Sequence, residues 1–319
     1  MRVLVAGASG ALGKQLVPRL VAAGHEVVGT TTSPGKSGAL SEAGADPVVL
    51  DVLDADAVMA AVTRAEPEVI VHQATALASL GSLRNPDEEF ELTNRLRTKG
   101  TDHLLAAAHA AGARRFVAQS YAGWPYARVG GTVKTEDDPL DPSPVATMQR
   151  THEAIRRLES AVAGAEGLEG LVLRYGGFYG PGTSIDEGGA HAELIRRRRF
   201  PIVGSGAGVW SFVHIDDAAA ATAAAVERGS AGVYNIVDDD PAPVSEWLPA
   251  LAAAIGAKPP RHVPAWLGRL AAGEAGVVMM TEIRGASNAK AKRELGWQPA
   301  HPTWREGFKT LARETRRAA

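Results

Sequence analysis

The sequence predicts an α/β fold, a doubly wound parallel sheet followed by a smaller C-terminal mixed α/β domain. Three observations carry this. Short β-branched runs alternate with longer alanine- and leucine-rich stretches as far as Arg174. Three glycines, Gly7, Gly10 and Gly13, stand at the first junction between such a run and such a stretch. Beyond Arg174 the alternation loosens, and glycine and proline cluster in 176–189 and 201–208. Alternation of this kind implies parallel strands whose crossover helices cover both faces of the sheet.

The elements follow in order. RVLVA (2–6) has a buried-strand pattern, and a helix over 12–23 ends at Gly24. HEVVG (25–29), PVVL (47–50), VIVH (69–72), RFVA (115–118) and LVLR (171–174) supply further strands. Helices over 54–64, 88–111 and 146–163 separate them, with Asp54 the N-cap candidate for the first. Residues 1–175 are read as a first domain that the chain re-enters near 212–238, and residues 176–211 and 239–319 as a smaller, mixed one.

Composition narrows the partners. The chain has 319 residues, a 45% hydrophobic share and a net charge of −2. That balance leaves no basic footprint for nucleic acid. The run Arg196–Arg199 reads as a solvated helix end. With no cysteine, thiolate metal sites and cysteine nucleophiles are excluded, and no other metal-ligand spacing stands out. No apolar run approaches the ~20 residues of a membrane span, and the first apolar run is too short for a signal peptide. A cytoplasmic protein with a small-molecule substrate is expected.

The sharpest motif is VAGASGALG (5–13). Glycine at such a turn accepts positive φ and lets the backbone approach a pyrophosphate, while the helix start offers free N–H groups. Gly7, Ser9, Gly10, Ala11, Leu12 and Gly13 are therefore the phosphate-binding candidates. The second strand ends in Thr30-Thr31-Thr32-Ser33 with Lys36 beyond and no carboxylate. A carboxylate there would bind the ribose diol of NAD, whereas hydroxyls and an ammonium accept a 2′-phosphate. Thr31, Thr32 and Lys36 thus favour NADP, with NAD as the alternative. Asp51 is either an adenine contact or a cap, with Val52 beside it.

Together with VIVHQATA (69–76), GTDHLL (100–105), FVAQS (116–120), LRYGGFYGPG (173–182), FVHIDDAAAA (212–221), YNIVDD (234–239) and AKRELGWQP (291–299), these motifs resemble the extended short-chain dehydrogenases/reductases of the NAD-dependent epimerase/dehydratase group. The resemblance implies a Rossmann domain, with Gln73, Ala74, Tyr175 and Gly177 beside the cofactor. It also implies a catalytic serine at Ser120, and a homodimer formed by the helices over 88–111 and 146–163. In such enzymes a tyrosine, with a lysine four residues on, exchanges the substrate's proton. The matching places here are Thr151 and Ile155, and 135–174 contains neither tyrosine nor lysine. An aliphatic hydroxyl is a far weaker acid than a phenol of pKa ~10.

The family mechanism therefore does not transfer intact. Tyr121 is the leading replacement donor, or else a packed aromatic at the domain seam. Thr151 can only donate a hydrogen bond. His152 is expected to face solvent or a dimer partner, because adjacent helical residues point about 100° apart. His72 and His214 read as structural. On the substrate side, Tyr126 lies in a loop that could cover the ligand. Gly177, Phe178 and Trp210 line the pocket, and Gly177 and Trp210 occupy places where nucleotide-sugar enzymes carry asparagine and arginine. Trp210 alternatively packs between domains. The leading reading is an NAD(P)-dependent oxidoreductase acting on a small, partly apolar carbonyl or alcohol with a displaced proton donor. A non-catalytic NADP(H) sensor and a nucleotide-sugar epimerase or dehydratase are the alternatives.

Overall fold

The computed structural model describes residues 1–77 and 84–317. Its centre is a seven-stranded sheet. In chain order the strands are β1 (Arg2–Ala6), β2 (Glu26–Thr31), β3 (Asp46–Val49), β4 (Val69–His72), β5 (Arg115–Tyr121), β6 (Glu169–Tyr175) and β7 (Gly232–Ile236). They lie side by side as β7-β6-β5-β4-β1-β2-β3, all parallel. The winding direction reverses between β1 and β4. In such sheets the crevice outside the carboxyl ends at that reversal takes the ligand.

Alternation along β1 divides the core. Val3 and Val5 pack with Leu16 and Leu20 of the helix Ala11–Ala22 and with Ala221 and Ala225 of the helix Ile215–Glu227. Leu4 and Ala6 face the other side, among Val58, Val62, Leu104, Phe116 and Leu158. Each β1 residue thus feeds one of two apolar layers, the requirement of a sheet covered on both faces.

The differences from expectation have local causes. β5 runs to Tyr121 because it stays in register with β6, Ser120 opposite Arg174 and Tyr121 opposite Tyr175. The helix expected over 88–111 is divided into Pro86–Glu89, Glu91–Arg95, a π-helical segment Leu96–Gly100, and Thr101–Ala110. A π segment turns side chains out of the α-helical period, which a simple periodic reading misses. Phe212–His214 does not enter the central sheet but pairs with Gly177–Tyr179. Only Gly232–Ile236 joins it, as an edge.

Outside β7 and the helix Ile215–Glu227, much of the chain after β6 folds around a third core of Tyr179, Phe212, Trp247, Trp304 and Phe308. Short strand pairs tie it together, among them Val209–Trp210 with Ala242–Pro243. The helix Ala265–Thr281 breaks at Gly273, whose φ of 70° suits glycine alone among common residues. Among the described residues, no helix is long and apolar enough to cross a membrane.

Candidate active site

The glycine loop forms a cradle. The Gly7 amide donates to the Thr30 hydroxyl (3.3 Å), and the Gly10 amide to the Gly7 carbonyl (3.0 Å). Gly7 has a φ of 87°, and a Cβ there would lie 2.9 Å from Ala74 backbone atoms. A Cβ on Gly13 would meet the Ala8 carbonyl at 2.3 Å. Gly10 caps the helix with no side-chain partner. The amides of Ala11, Leu12 and Gly13 therefore open toward the crevice, as a helix start leaves them. These residues fit the dinucleotide that such a loop holds.

At the rim, the Thr31 hydroxyl meets Ser9 Oγ at 2.9 Å and accepts the Ser33 amide, so it braces the turn. Thr32 and Lys36 are exposed. Asp51 accepts the Leu53 amide and is exposed, while Val52 is buried and its carbonyl meets His103. Asp54 is the cap, accepting the Ala57 amide. Below the crevice, Gln73 Nε2 donates to the Tyr175 hydroxyl, which meets Thr222 at 2.7 Å. Tyr175 is buried in the core, so only its backbone can approach a ligand.

The three expected catalytic hydroxyls have other roles. Ser120 donates to Glu159 Oε1 at 2.6 Å. Glu159 also accepts two bonds from Arg174, at 2.8 and 2.6 Å. Thr151 is fully buried; its hydroxyl donates to Asp87 (2.7 Å) and accepts from Asn94 (3.0 Å). Asp87 in turn accepts the Arg150 and Thr151 amides, capping the helix Gln149–Ala163. The Tyr121 hydroxyl makes no hydrogen bond among the described residues, and burial pushes the phenol up to about 12. Thr151→Val should cost about 1–3 kcal/mol, because Asp87 and Asn94 each lose a partner. Urea denaturation measures that loss, and turnover should survive it.

Ile155, at the lysine's place, is fully buried in an apolar cluster with Trp124, Met148 and Met279, against which Tyr121 and Trp210 pack. Trp124 stacks on Tyr121 and Phe90, with ring centroids at 5.5 and 6.4 Å. Trp210 is half-buried, donates to the Met279 carbonyl, stacks on Phe212 and packs against the cluster that holds Trp124 and Ile155, so it joins the two parts of the molecule. Gly177 and Phe178 are half-buried, Gly177 against the Phe212 ring.

Two expectations are corrected. His152 faces neither solvent nor a free surface: it is buried with its ring 5.1 Å from Trp124, because the 86–95 helices and the Trp124 loop cover that side. Tyr126 is no cover for a ligand. It is fully buried, donating to Asn235 (2.6 Å) and accepting from Arg174 (3.0 Å). Sequence reading also missed Asp87 and Trp124, whose roles come from contacts between distant elements. One group of potential metal ligands, His214, Asp217 and His301, is present among the described residues. Asp217 there already accepts the Ala300 and His301 amides and His301 Nδ1.

Buried titratable groups set a pH optimum for stability. Burial pushes His72, His152 and His214 down from 6.5 to about 4. Their depressed values give stability present above 6.5 and lost as pH falls toward 4. Burial raises Asp238 from 3.8 to about 8, so its contribution is lost as pH rises across that window. The histidines outnumber it below 6.5, and it acts without them above. Denaturation midpoints should therefore peak at about pH 6.5, and Asp238→Asn should flatten the limb up to pH 8.

The family described as NAD dependent epimerase/dehydratase matches residues 3–237. A "3-diazoavenalumate denitrifying reductase" of a Streptomyces species is 46% identical over 313 residues, spanning 97% of this chain and 99% of that protein. A UDP-glucose 4-epimerase of Mycolicibacterium smegmatis is 30% identical, with 94% of each covered. Among solved structures, the UDP-glucose 4-epimerase of Thermotoga maritima with UDP-glucose superposes with a TM-score of 0.78 at 24% identity, covering 100% of this chain and 99% of that one. Human epimerase family protein SDR39U1 with NADPH gives 0.74 at 22%, covering 98% and 99%. The chain belongs to the NAD-dependent epimerase/dehydratase family.

Proposed function

We propose that this protein is an NADPH-dependent reductase that removes nitrogen from a diazo-bearing, planar acid, releasing N2. The observation that carries the reading is the absence, among the described residues, of a usable acid at the reacting end of the crevice. Ser120 is committed to Glu159, Thr151 to Asp87, and the Tyr121 phenol is pushed up to about 12. Reducing a carbonyl places charge on oxygen that a positioned acid must meet. Replacing an aryl diazonium group by hydride does not, because the hydride cancels the cation's charge as the departing group leaves as neutral N2.

Reduced nicotinamide, when bound, is the source of that hydride: the carbon gains hydrogen, its bond to nitrogen breaks, N2 departs, and the cofactor is left oxidised. The chain's own residues bind and orient. The glycine loop holds the dinucleotide, and Thr32 with Lys36, at a strand end lacking a carboxylate, favour the 2′-phosphate. Tyr121 and Trp210, half-buried against the cluster of Trp124 and Ile155, offer flat apolar surface that keeps water from the reacting carbon. The 46%-identical reductase supports the same substrate class. A homodimer built on the helices Thr101–Ala110 and Gln149–Ala163 belongs to this reading, and sedimentation tests it.

Tyr121→Phe separates this from ketone reduction. With a diazo acid as substrate, the variant should keep at least half of wild-type NADPH turnover. A loss of about 10²–10⁴-fold would mark Tyr121 as a proton donor and overturn the reading.

A further inference from the structure

The π-helical segment Leu96–Gly100 carries Arg97, which is 5% exposed. Its Nε and Nη1 are buried with no hydrogen-bond partner, and no side-chain hydrogen bond or ion pair of Arg97 occurs among the described residues. Buried guanidinium nitrogens without partners are rare and costly. The surroundings do not neutralise it. Glu159 is the carboxylate that acts on Arg97, yet it already holds Arg174 through two hydrogen bonds. His72, whose Nε2 meets the Leu96 carbonyl at 3.3 Å, is neutral above about pH 4. The cluster of Glu159, Arg174 and Arg97 therefore holds one positive charge in excess.

Position gives this charge a use. His72 ends β4, and Glu159 grips Ser120 at the end of β5. The Leu96 carbonyl beside Arg97 meets His72, and the segment Leu96–Gly100 packs on the helix Gln149–Ala163 that carries Glu159, which places Arg97 near the carboxyl ends of the two strands, below the crevice. The phosphates of a dinucleotide belong elsewhere, at the start of the helix Ala11–Ala22.

We propose that Arg97 is the anion site of the crevice, binding an oxyanion of the substrate, a carboxylate or a phenolate, and so selecting acidic over neutral ligands. The proposal rests on the crevice being a substrate site but not on loss of N2, so failure of the denitrifying reaction leaves its test intact.

Binding is measured by calorimetry on the NADP⁺-loaded protein at pH 9, using two anions and their neutral counterparts: benzoate with benzamide, and 4-nitrophenolate with nitrobenzene. Wild type should favour at least one anion over its counterpart by about tenfold or more, as a charge-assisted hydrogen bond supplies. The pair that shows the preference identifies the source of the oxyanion. Arg97→Met should abolish the preference while leaving the affinity for the neutral ligand and for NADP⁺ within a factor of about three. Without ligand, the same variant should melt at or above the wild-type temperature, because an unpaired buried charge has been replaced by an apolar chain. Bound to wild type, 4-nitrophenol should also titrate at lower pH than free in solution, and that shift should vanish in Arg97→Met. Absence of any anion preference in wild type, or a preference that survives the substitution, overturns the proposal. So does a melting temperature lowered by several degrees, which would show Arg97 to be a structural strut.

Discussion

Glu159→Ala is expected to destabilise the protein by about 3–5 kcal/mol, the largest effect of any single polar substitution considered. Glu159 is 6% exposed and accepts from Ser120 and, twice, from Arg174. Breaking a buried ion pair by removing one partner leaves an uncompensated charge, and that residual charge dominates the loss. Here Arg174 would keep only the Tyr126 hydroxyl at 3.0 Å, with Arg97 still buried nearby. Glu159→Gln should fall between the two, because the amide keeps one acceptor for Arg174 but no charge. Urea denaturation with a common slope for the three proteins measures the order. If Glu159→Ala costs less than about 1 kcal/mol, water or another carboxylate has replaced the pair, and the buried cluster is not the joint described here.

Gly10→Asp should abolish dinucleotide binding without unfolding the protein. Gly10 has φ −75° and ψ 175°, which any residue adopts, and a Cβ there meets only the Gly7 carbonyl, at 3.3 Å. Aspartate is moreover a favoured N-cap, so the apo protein should be as stable as wild type or slightly more so. Its carboxylate would point where the loop receives phosphate. Two unit charges about 4 Å apart repel by about 4 kcal/mol at an effective dielectric of 20. A loss of at least 100-fold in NADPH affinity is expected by fluorescence titration, with an unchanged or raised melting temperature. Retained affinity would place the dinucleotide away from this helix start.

The sheet was legible because its signals are local. Val3 and Val5 against Leu4 and Ala6, or the Gly7–Gly13 spacing, can be read within a few residues. Boundaries moved where pairing with a distant strand decided them, as when β5 runs on to Tyr121 opposite Tyr175. The polar roles were less legible. Asp87 caps a helix 63 residues further along the chain, and Glu159 joins Ser120 on β5 to Arg174 on β6. No spacing rule announces such contacts. Loss of the tyrosine and lysine could be read directly from Thr151 and Ile155, but its consequence could not. The structure shows those places filled by a saturated hydroxyl and an apolar wall.

Hydride labelling tests the central claim most directly. The wild-type protein is mixed with NADPH deuterated at the transferred position and with 3-diazoavenalumate, and evolved gas and product are followed by mass spectrometry. The account requires one N2 for each NADPH oxidised, and one deuterium on the carbon that had carried nitrogen. NADPH oxidation without N2, or a product whose new hydrogen comes from water, would contradict it.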